Sequence, residues 1–411
     1  MIKQTQTKLF DFADTDLDLC PGSKGKFPTA FKKMLAIGYN SKIVSSATID
    51  GNQVTLDYGV SHGYAADRVL AINTPGLIGE FYIDSVTSNT LTITVSDAPA
   101  SIIGGFTTKI APLGWELVYE LNNIHIYKMK HIDDTDRYVR MCFQNNAAHR
   151  NAIAVCIGKT FDAETGFIND PLALQSTAAV ATPNQASLPR WDGYLATSSH
   201  NNYTYSQGYS SYGKAIIIGS IYHIALLMTF GAEPQPTNIY GIFAAHCHAY
   251  DALDYPVVVA RNANSNTSNS GDYNYGNFYS GGYGHASIGN ISVRFDNTSS
   301  ANNRYLGQMN PPASAVSVLS TALDTFNTTT AKPLEIYEMA TSQYLGCCYG
   351  VYHCMFANDA NAPTISKKNL PVLTTDIDFN NQIYIFHSGS NDTKDRATYL
   401  AFPLEEIKVG Y

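Results

Sequence analysis

The chain has 411 residues, a formal net charge of −8 and a pI near 5.7, and only 15% of its residues are charged. Nucleic-acid-binding surfaces need clustered Lys and Arg, and the sequence has no basic run, so we expect no nucleic-acid partner. No apolar window approaches the roughly 18 residues of a transmembrane helix, and residues 1–6 lack the apolar core of a signal peptide, so we expect no membrane insertion.

Neutral side chains supply most of the polarity, chiefly Asn, Ser, Thr and 28 Tyr residues. Aromatic and β-branched residues pack well on a pleated surface, so this composition favours β-structure. Surfaces rich in Tyr and poor in Lys and Glu are also typical of interfaces in protein assemblies. The seven cysteines are odd in number and match no zinc spacing. We therefore expect buried thiols, which the cytoplasm keeps reduced.

Residues 1–45 predict an N-terminal segment with one short helix. Phe31, Met34 and Leu35 recur at helical spacing within residues 29–39. Gly38 stands where the end of a helix commonly needs a residue that tolerates positive φ. This is the best helix prediction in a chain whose other segments predict strands.

Residues 46–110 predict a small all-β module, either a sandwich or a barrel. Two short strands flank Asp50-Gly51-Asn52, which is a strong hairpin signal. Residues 90–95 alternate apolar and polar side chains with the period of two that a half-buried strand requires. The predicted strands are residues 47–49, 54–56, 69–72, 79–86 and 90–95, with turns at residues 73–76 and 88–89.

Residues 111–411 predict a larger, β-sandwich-like domain, so the whole chain predicts an all-β, multi-domain fold. Residues 158–189, which contain Pro171, Pro183 and Pro189, predict a long irregular span. An insertion rich in Asn, Ser, Gly and Tyr occupies residues 262–284, approximately. The predicted strands are residues 115–119, 125–129, 137–141, 152–156, 215–218, 221–228, 240–245, 334–337, 350–356, 382–386 and 397–402.

Two loop regions carry aromatic rings separated by small residues. Tyr with Ser, Gly and Asn is the composition of antibody paratopes, in which rigid rings supply contact area and small residues adapt. These rings could pack against neighbouring subunits, bind a host surface or glycan, or only decorate the loops, and we favour subunit packing. The candidate interface or ligand-binding residues are Tyr203, Tyr205, Tyr209, Tyr212, Tyr273, Tyr275, Phe278, Tyr279 and Tyr283.

Two polar clusters are candidates for metal binding. His246 and His248 would share one face of a strand, with Asp251 and Asp254 nearby, but a polar strand end that enters a turn is the preferred interpretation. Residues 133–136 contain three Asp and resemble half of a calcium loop, but the Gly and Glu of an EF-hand are missing. A solvated turn is therefore preferred, with calcium as the alternative, and we predict neither a metal nor a cofactor.

The sequence contains no recognisable catalytic constellation. Glycan hydrolysis needs two carboxylates at a defined separation, and the sequence alone cannot place its carboxylates together. The candidates are Asp192, Asp251, Asp254 and Glu335. A G-x-S-x-G nucleophile motif is also absent. We therefore predict that the protein is not an enzyme, with a glycan-degrading enzyme as the remaining alternative.

Several short motifs follow one another in a recognisable order. A strand, a Gly, a second strand and the segment Ser85-Val86-Thr87-Ser88-Asn89-Thr90 occupy residues 69–90, and Pro-x-Gly-Trp follows at residues 112–115. An acidic turn and a Tyr-x-Arg strand come next at residues 133–140, and Asp-Tyr-Pro lies at residues 254–256. Together they resemble a family of uncharacterised virion structural proteins of tailed bacteriophages, over roughly residues 30–260. The family carries no agreed catalytic residues.

The resemblance implies a component of a virus particle. The predicted function is a structural virion protein that assembles in several copies on the tail, neck or collar, or baseplate, through neutral, aromatic-rich interfaces. Its predicted partners are other virion proteins and copies of itself, with a host-surface glycan as a further candidate. The predicted location is the virion, assembled in the cytoplasm of the host bacterium. The alternative function is a host-receptor or glycan-binding tail protein.

Overall fold

The computed structural model describes residues 7–146, 149–185, 187–193, 204, 215–229, 237–262, 284–295, 330–355, 372–376, 379–388 and 398–404. The fold is all-β with several sheets, as the sequence predicted. Within these ranges, helical structure is limited to short segments near residue 30, at Gln175–Ala178 and in isolated turns. A search of the described residues for a helix of membrane-spanning length and hydropathy found none.

The first described strand, β1 (Lys8–Asp11), precedes the helix predicted near residue 30. Helix α1 (Phe27–Lys32) continues into a wider, π-helical turn at Lys33–Ile37. It begins two residues earlier than predicted, because Pro28 fits the first turn of a helix, where its missing N–H is not needed. It ends at Gly38, as predicted, with φ of 75° and the Gly38 N–H bonded to the Lys33 carbonyl at 2.8 Å.

The Pro-x-Gly-Trp motif closes the end of this helix. The last carbonyls of a helix have no partner within it. The Leu113 N–H donates to the Met34 carbonyl at 2.8 Å, and the Trp115 N–H donates to the Leu35 carbonyl at 2.9 Å. Gly114 provides the φ of 90° that lets both flanking N–H groups face the helix. The motif therefore has a structural role that its residue types explain.

The small β module consists of seven strands in the order β2-β8-β5-β6-β7-β4-β3. The predicted hairpin is confirmed, with Asp50 opposite Gln53 and Gly51 at φ of 59°. The strands are β2 (Tyr39–Ile43), β3 (Ser46–Asp50), β4 (Gln53–Asp57), β5 (Val69–Thr74), β6 (Leu77–Val86), β7 (Thr90–Thr94) and β8 (Thr107–Ile110).

The small module closes on itself because its two end strands are continuous in the chain. Only Val44 and Ser45 separate β2 from β3. The Val44 N–H donates to the Phe106 carbonyl at 2.9 Å, and the Ser45 N–H donates to the Asp57 carbonyl at 2.7 Å. The bent β2–β3 strand therefore joins both ends of the sheet, which leaves the module without a long unpaired edge.

The larger domain begins with a sheet in the order β9-β10-β11-β12-β15. The span 158–189, predicted to be irregular, contains a two-stranded hairpin and one helical turn, and Pro189 begins a strand. The elements are β9 (Glu116–Leu121), β10 (Ile124–Lys130), β11 (Asp136–Phe143), β12 (Ala152–Gly158), β13 (Phe161–Asp162), β14 (Phe167–Ile168), α2 (Gln175–Ala178) and β15 (Pro189–Asp192).

The remaining strands continue the same hydrogen-bonded network. Their middle part pairs in the order β1-β16-β17-β18-β20-β21, and the last strands form a further layer around β24. The strands are β16 (Ala215–Gly219), β17 (Ile224–Thr229), β18 (Thr237–Phe243), β19 (Ala245–Cys247), β20 (Val257–Asn262), β21 (Gly284–Ile288), β22 (Ile291–Arg294), β23 (Thr330–Glu338), β24 (Tyr344–Met355), β25 (Val372–Asp376), β26 (Phe379–Ser388) and β27 (Thr398–Pro403).

The middle sheet is buried on both faces. On one face, Ile217 and Leu226 belong to the same apolar core as Met141 of the first sheet. On the other face, Ile218 and Leu227 belong to a second core that includes residues of β23, β24 and β27. Strands buried on both faces need apolar residues at successive positions, which explains the continuous apolar runs of β16 and β17.

One predicted strand is shorter than expected. Residues 221–228 were predicted as a strand, but β17 begins at Ile224. Ser220 accepts the Tyr222 N–H at 3.1 Å with its hydroxyl oxygen, which also lies 2.8 Å from Nδ1 of His223. These side-chain bonds stabilise a turn at residues 220–223, so the apolar character of this stretch was not sufficient evidence for strand.

Both tryptophans of the chain are buried and attach other parts of the fold to the middle sheet. The indole N–H of Trp115 donates to the carbonyl of Ser220, in the turn between β16 and β17, at 2.9 Å. The indole N–H of Trp191 donates to the carbonyl of Val259 in β20 at 2.8 Å. Each indole therefore buries a large apolar surface and satisfies its single donor.

Every arginine in the described ranges is buried. Asp192 is fully buried. Its carboxylate oxygens lie 2.7 Å, 3.3 Å and 3.5 Å from guanidinium nitrogens of Arg190, Arg261 and Arg150, respectively. Burial alone would raise the pKa of Asp192, but these guanidinium groups hold it below its ordinary value. The seven buried arginines are Arg68, Arg137, Arg140, Arg150, Arg190, Arg261 and Arg294.

We expect Gly38→Ala to destabilise the protein by roughly 2–4 kcal/mol, because alanine would be strained at this φ and its Cβ would collide with the Ile110 carbonyl. Gly51→Ala is a matched control: its φ is also positive, but a Cβ there meets nothing within 4 Å. Urea unfolding of both variants measures the difference. Equal losses would show that the contact with Ile110 is unimportant.

Candidate functional site

Two segments that the sequence marked separately meet in the structure. The acidic turn between β10 and β11 lies against the segment that leads from β19 through a short helical turn at Asp251–Leu253 to β20. They enclose a cleft of about 350 Å³. The residues that line it are His131, Ile132, Asp133, Ala245, His246, Cys247, His248, Ala249, Tyr250, Asp251, Leu253 and Asp254.

Asp254 connects the two walls of the cleft. Its carboxylate lies 2.8 Å from Arg137, 3.0 Å from Lys159 and 3.4 Å from Nε2 of His131. Arg137 also donates to the Asp254 carbonyl through Nε at 3.1 Å and Nη2 at 2.9 Å. One aspartate therefore fixes β11 and the residues after β12 to the start of β20.

The neighbouring Tyr255 extends this connection. Its ring is buried, with Lys159 Nζ at 5.1 Å and Arg137 Cζ at 5.8 Å from the centroid, which are cation–π distances. Its hydroxyl donates to Asp170 at 2.7 Å. The two cations thus contact both a carboxylate and a ring. The Tyr-x-Arg strand and the Asp-Tyr-Pro segment, which the sequence only placed in order, are in direct contact.

The acidic turn directs its three carboxylates to different partners. Asp133 accepts the Thr135 N–H at 3.0 Å, Asp134 accepts the Tyr222 hydroxyl at 2.7 Å, and Asp136 pairs with Lys130 at 2.6 Å. Within the part of the chain that the structure describes, no three His, Cys, Asp or Glu side chains are grouped to hold a metal ion. Each of the three carboxylates is therefore engaged by a donor within the chain.

The histidine pair lies at a strand end, as the preferred interpretation had it. His246 is within β19, and His248 follows it, with its N–H donating to the Leu345 carbonyl at 3.0 Å. The His248 ring contacts the Tyr344 ring edge-on at 6.1 Å. Both histidines are exposed at the cleft.

His131 forms a buried part of the cleft wall and is only 5% exposed. Burial, reinforced by the positive charge of Arg137, lowers the pKa of His131 to about 4, so the ring is neutral at pH 7. Its Nε2 faces Asp254, and its Nδ1 has no hydrogen-bond partner among the described residues. A buried polar atom without a partner is unfavourable by about 1–3 kcal/mol.

Tyr250 is the exposed aromatic residue of the cleft. It is 66% exposed, and its N–H donates to the His248 carbonyl at 2.8 Å. Tyr250, His131 and Lys159 carry no motif of their own in the sequence. His131 and Tyr250 line the cleft from separate parts of the chain, and Lys159 contacts Asp254 from a third part, so no spacing relates the three residues.

Of the four carboxylates considered for catalysis, the structure brings two, Asp251 and Asp254, to the same cleft. Asp192 is enclosed by arginines, and Glu335 lies in β23, where it accepts the Tyr337 hydroxyl at 2.7 Å. Ser220 and His223 form a close pair, but both are fully buried. Their bond therefore belongs to the β16–β17 turn.

The aromatic loop residues predicted to form an interface or ligand site lie outside the described residues. They are Tyr203, Tyr205, Tyr209, Tyr212, Tyr273, Tyr275, Phe278, Tyr279 and Tyr283. Two cysteines are adjacent in β24. Cys348 is buried and Cys347 is half-buried, as expected for neighbours on opposite faces of a strand.

Comparisons of the chain with protein-family models, curated proteins and solved structures found no match.

We expect Asp254→Asn to lower the free energy of unfolding by roughly 1–3 kcal/mol, because it removes the negative charge that faces the buried Arg137. Asp251→Asn is the matched control, since its carboxylate lies in the same cleft without that contact, and we expect a change below about 0.5 kcal/mol. Urea unfolding measures both. Similar losses in the two variants would contradict the anchoring role of Asp254.

Stability should fall as the pH falls from about 6.5 to 4. Burial lowers the pKa of His125 to about 4 and of His223 to about 3, and that of His131 is about 4. In this window the unfolded chain binds protons that the folded chain does not, which favours unfolding by roughly 1.4 kcal/mol per pH unit for each histidine. Urea unfolding at pH 7.5, 6 and 5 measures the slope.

The pH dependence can be assigned by substitution. His131→Gln should reduce the slope, because it removes one of the buried imidazoles whose pKa is lowered in the folded state. A slope that is flat between about pH 6.5 and 4 would mean that these buried rings take up protons in the folded state as readily as in the unfolded chain.

Proposed function

We propose that the protein is a structural subunit of a tailed-bacteriophage virion, assembling in several copies on the tail, neck or collar, or baseplate. The motif resemblance supports this proposal. The motifs at residues 112–115, 133–140 and 254–256 make contacts between separate elements of the fold, so each has a structural reason to be present. A subunit that functions by contact with other protein surfaces needs such a rigid framework. It does not need to convert a substrate.

The observation that carries the proposal is the burial of all seven described arginines. Their charges act inside the chain, where they bind carboxylates and carbonyls, for example Asp14 by Arg68 at 2.9 Å. Only 15% of the residues of the chain are charged, so neutral polar groups supply most of its polarity. Contacts between neutral surfaces desolvate few ions and avoid penalties of several kcal/mol per buried ion.

The small β module exposes three isoleucine side chains, which are neutral and apolar. Ile43, Ile78 and Ile103 are 64%, 73% and 86% exposed. Ile43 lies opposite Thr107 at one side of the outer face, and Ile78 lies opposite Asn73 further along the same sheet. Exposed aliphatic side chains on a rigid sheet are suited to contacts between subunits.

The first test is mass spectrometry of purified phage particles that encode the protein. We expect the chain in the virion at a fixed copy number relative to the capsid protein. Its absence from particles that contain the other tail proteins would contradict the proposal, because a structural subunit remains in the finished assembly.

A second test uses particle incorporation of charged variants. Ile43→Asp and Ile103→Asp should reduce incorporation at least tenfold, because a buried unpaired charge costs several kcal/mol at an interface. Leu121→Asp is the matched control, since Leu121 is exposed to a similar degree on the β9–β10 hairpin of the larger domain. Equal incorporation of all variants, with unchanged thermal unfolding, would exclude the small module as a contact surface.

A further inference from the structure

The cleft between the acidic turn and the β19–β20 segment is not explained by a purely structural role. Its polar walls reach the surface, whereas the arginine cluster around Asp192 is buried. Pockets that hold small ligands measure about 300–1,000 Å³, and this cleft, at about 350 Å³, is at the lower end of that range. It has room for one or two rings of a sugar.

The charges of the walls favour a neutral ligand. Asp254 is already compensated by Arg137 and Lys159. Asp133 accepts bonds from Thr135, and His131 is neutral at pH 7. An anionic ligand would face the carboxylates of Asp133 and Asp251, and among the described residues no three His, Cys, Asp or Glu side chains are grouped to hold a metal ion.

The exposed groups of the cleft match the two faces of a sugar. The Tyr250 ring supplies a rigid apolar surface at low conformational cost, on which the C–H face of a pyranose can lie. His246, His248 and Asp251 supply nitrogen and oxygen atoms for hydroxyl groups. A ring beside several planar polar groups is suited to a polyol, which has both kinds of surface.

His131 provides an independent indication of a ligand. Its side chain is nine-tenths buried in the cleft wall, and its Nδ1 has no partner among the described residues. With Nε2 directed at Asp254, the neutral ring presents Nδ1 as an acceptor. Because Nδ1 itself is buried, a ligand hydroxyl supplies the missing donor only when the side chains that cover this atom move aside.

We infer that this cleft binds a short, neutral glycan, with Tyr250 as the stacking residue and Asp251 as a hydroxyl acceptor. This activity goes beyond the proposed structural role, and it is separate from the aromatic loops at residues 203–212 and 273–283. A single shallow cleft binds a sugar weakly. A subunit present in several copies on one particle would gain avidity from repeated weak contacts.

The test is a dense array of neutral oligosaccharides built from glucose, galactose, rhamnose and N-acetylhexosamines, probed with the purified full chain. Ligands found on the array are then titrated by calorimetry. Tyr250→Ala and Asp251→Asn should each weaken binding at least tenfold. Tyr250→Phe, which keeps the ring, should stay within about threefold of the unaltered chain, a difference below 1 kcal/mol.

Asp97→Asn is the control for loss of a carboxylate, because Asp97 is exposed on the small module, far from the cleft in sequence and absent from its lining. It should leave binding unchanged. Failure of the folded chain to bind any neutral glycan would overturn the inference. Binding that survives both Tyr250→Ala and Asp251→Asn would also overturn it. Neither result bears on the presence of the protein in virions, so the structural proposal is judged separately.

Discussion

The covering of the middle sheet on both faces is the constraint on which the rest of the fold depends. Ile217 and Ile218 are neighbours in β16, yet they belong to different cores. Because neither face meets water, the polar groups around this sheet must find partners within the protein. The indole N–H groups of Trp115 and Trp191 donate to backbone carbonyls of this sheet and its turn, and they attach the flanking layers to the sheet. The loss of either layer would expose a continuous apolar surface.

The same constraint explains why the arginines are inside. Loops that run over a buried sheet carry carbonyl and carboxylate groups that need donors, and a guanidinium group supplies five in a fixed geometry. Arg137 contacts both the side chain and the carbonyl of Asp254, and Arg140 donates to the carbonyl of Gly166 at 2.7 Å. The burial of the described arginines and the firm anchoring of the cleft are therefore two results of one arrangement.

Local patterns in the sequence were sufficient for much of the fold. The hairpin at Gly51, the helix end at Gly38 and most strands were predicted because each depends on residues that are close in sequence. The predicted start of β17 was wrong, because the side-chain hydrogen bonds of Ser220 stabilise a turn where the apolar residues alone indicated a strand. The cleft could not be predicted as a unit. His131 and Tyr250 come together only in the folded structure, where Asp254 connects the two segments, and this leaves no spacing signal in the chain.

The strand β1 has a consequence for how the chain folds. Lys8 lies opposite Gly219, so the first described strand pairs with one that is synthesised much later. The small module, complete at Ile110, has its own closed sheet and can form while translation continues. β1 cannot pair until β16 has been synthesised, and the closing of the long loop between them is slow because of its entropic cost. Until it docks, the edge of β16 is open to strands of other nascent chains, so this stage of folding is the one most exposed to misassembly.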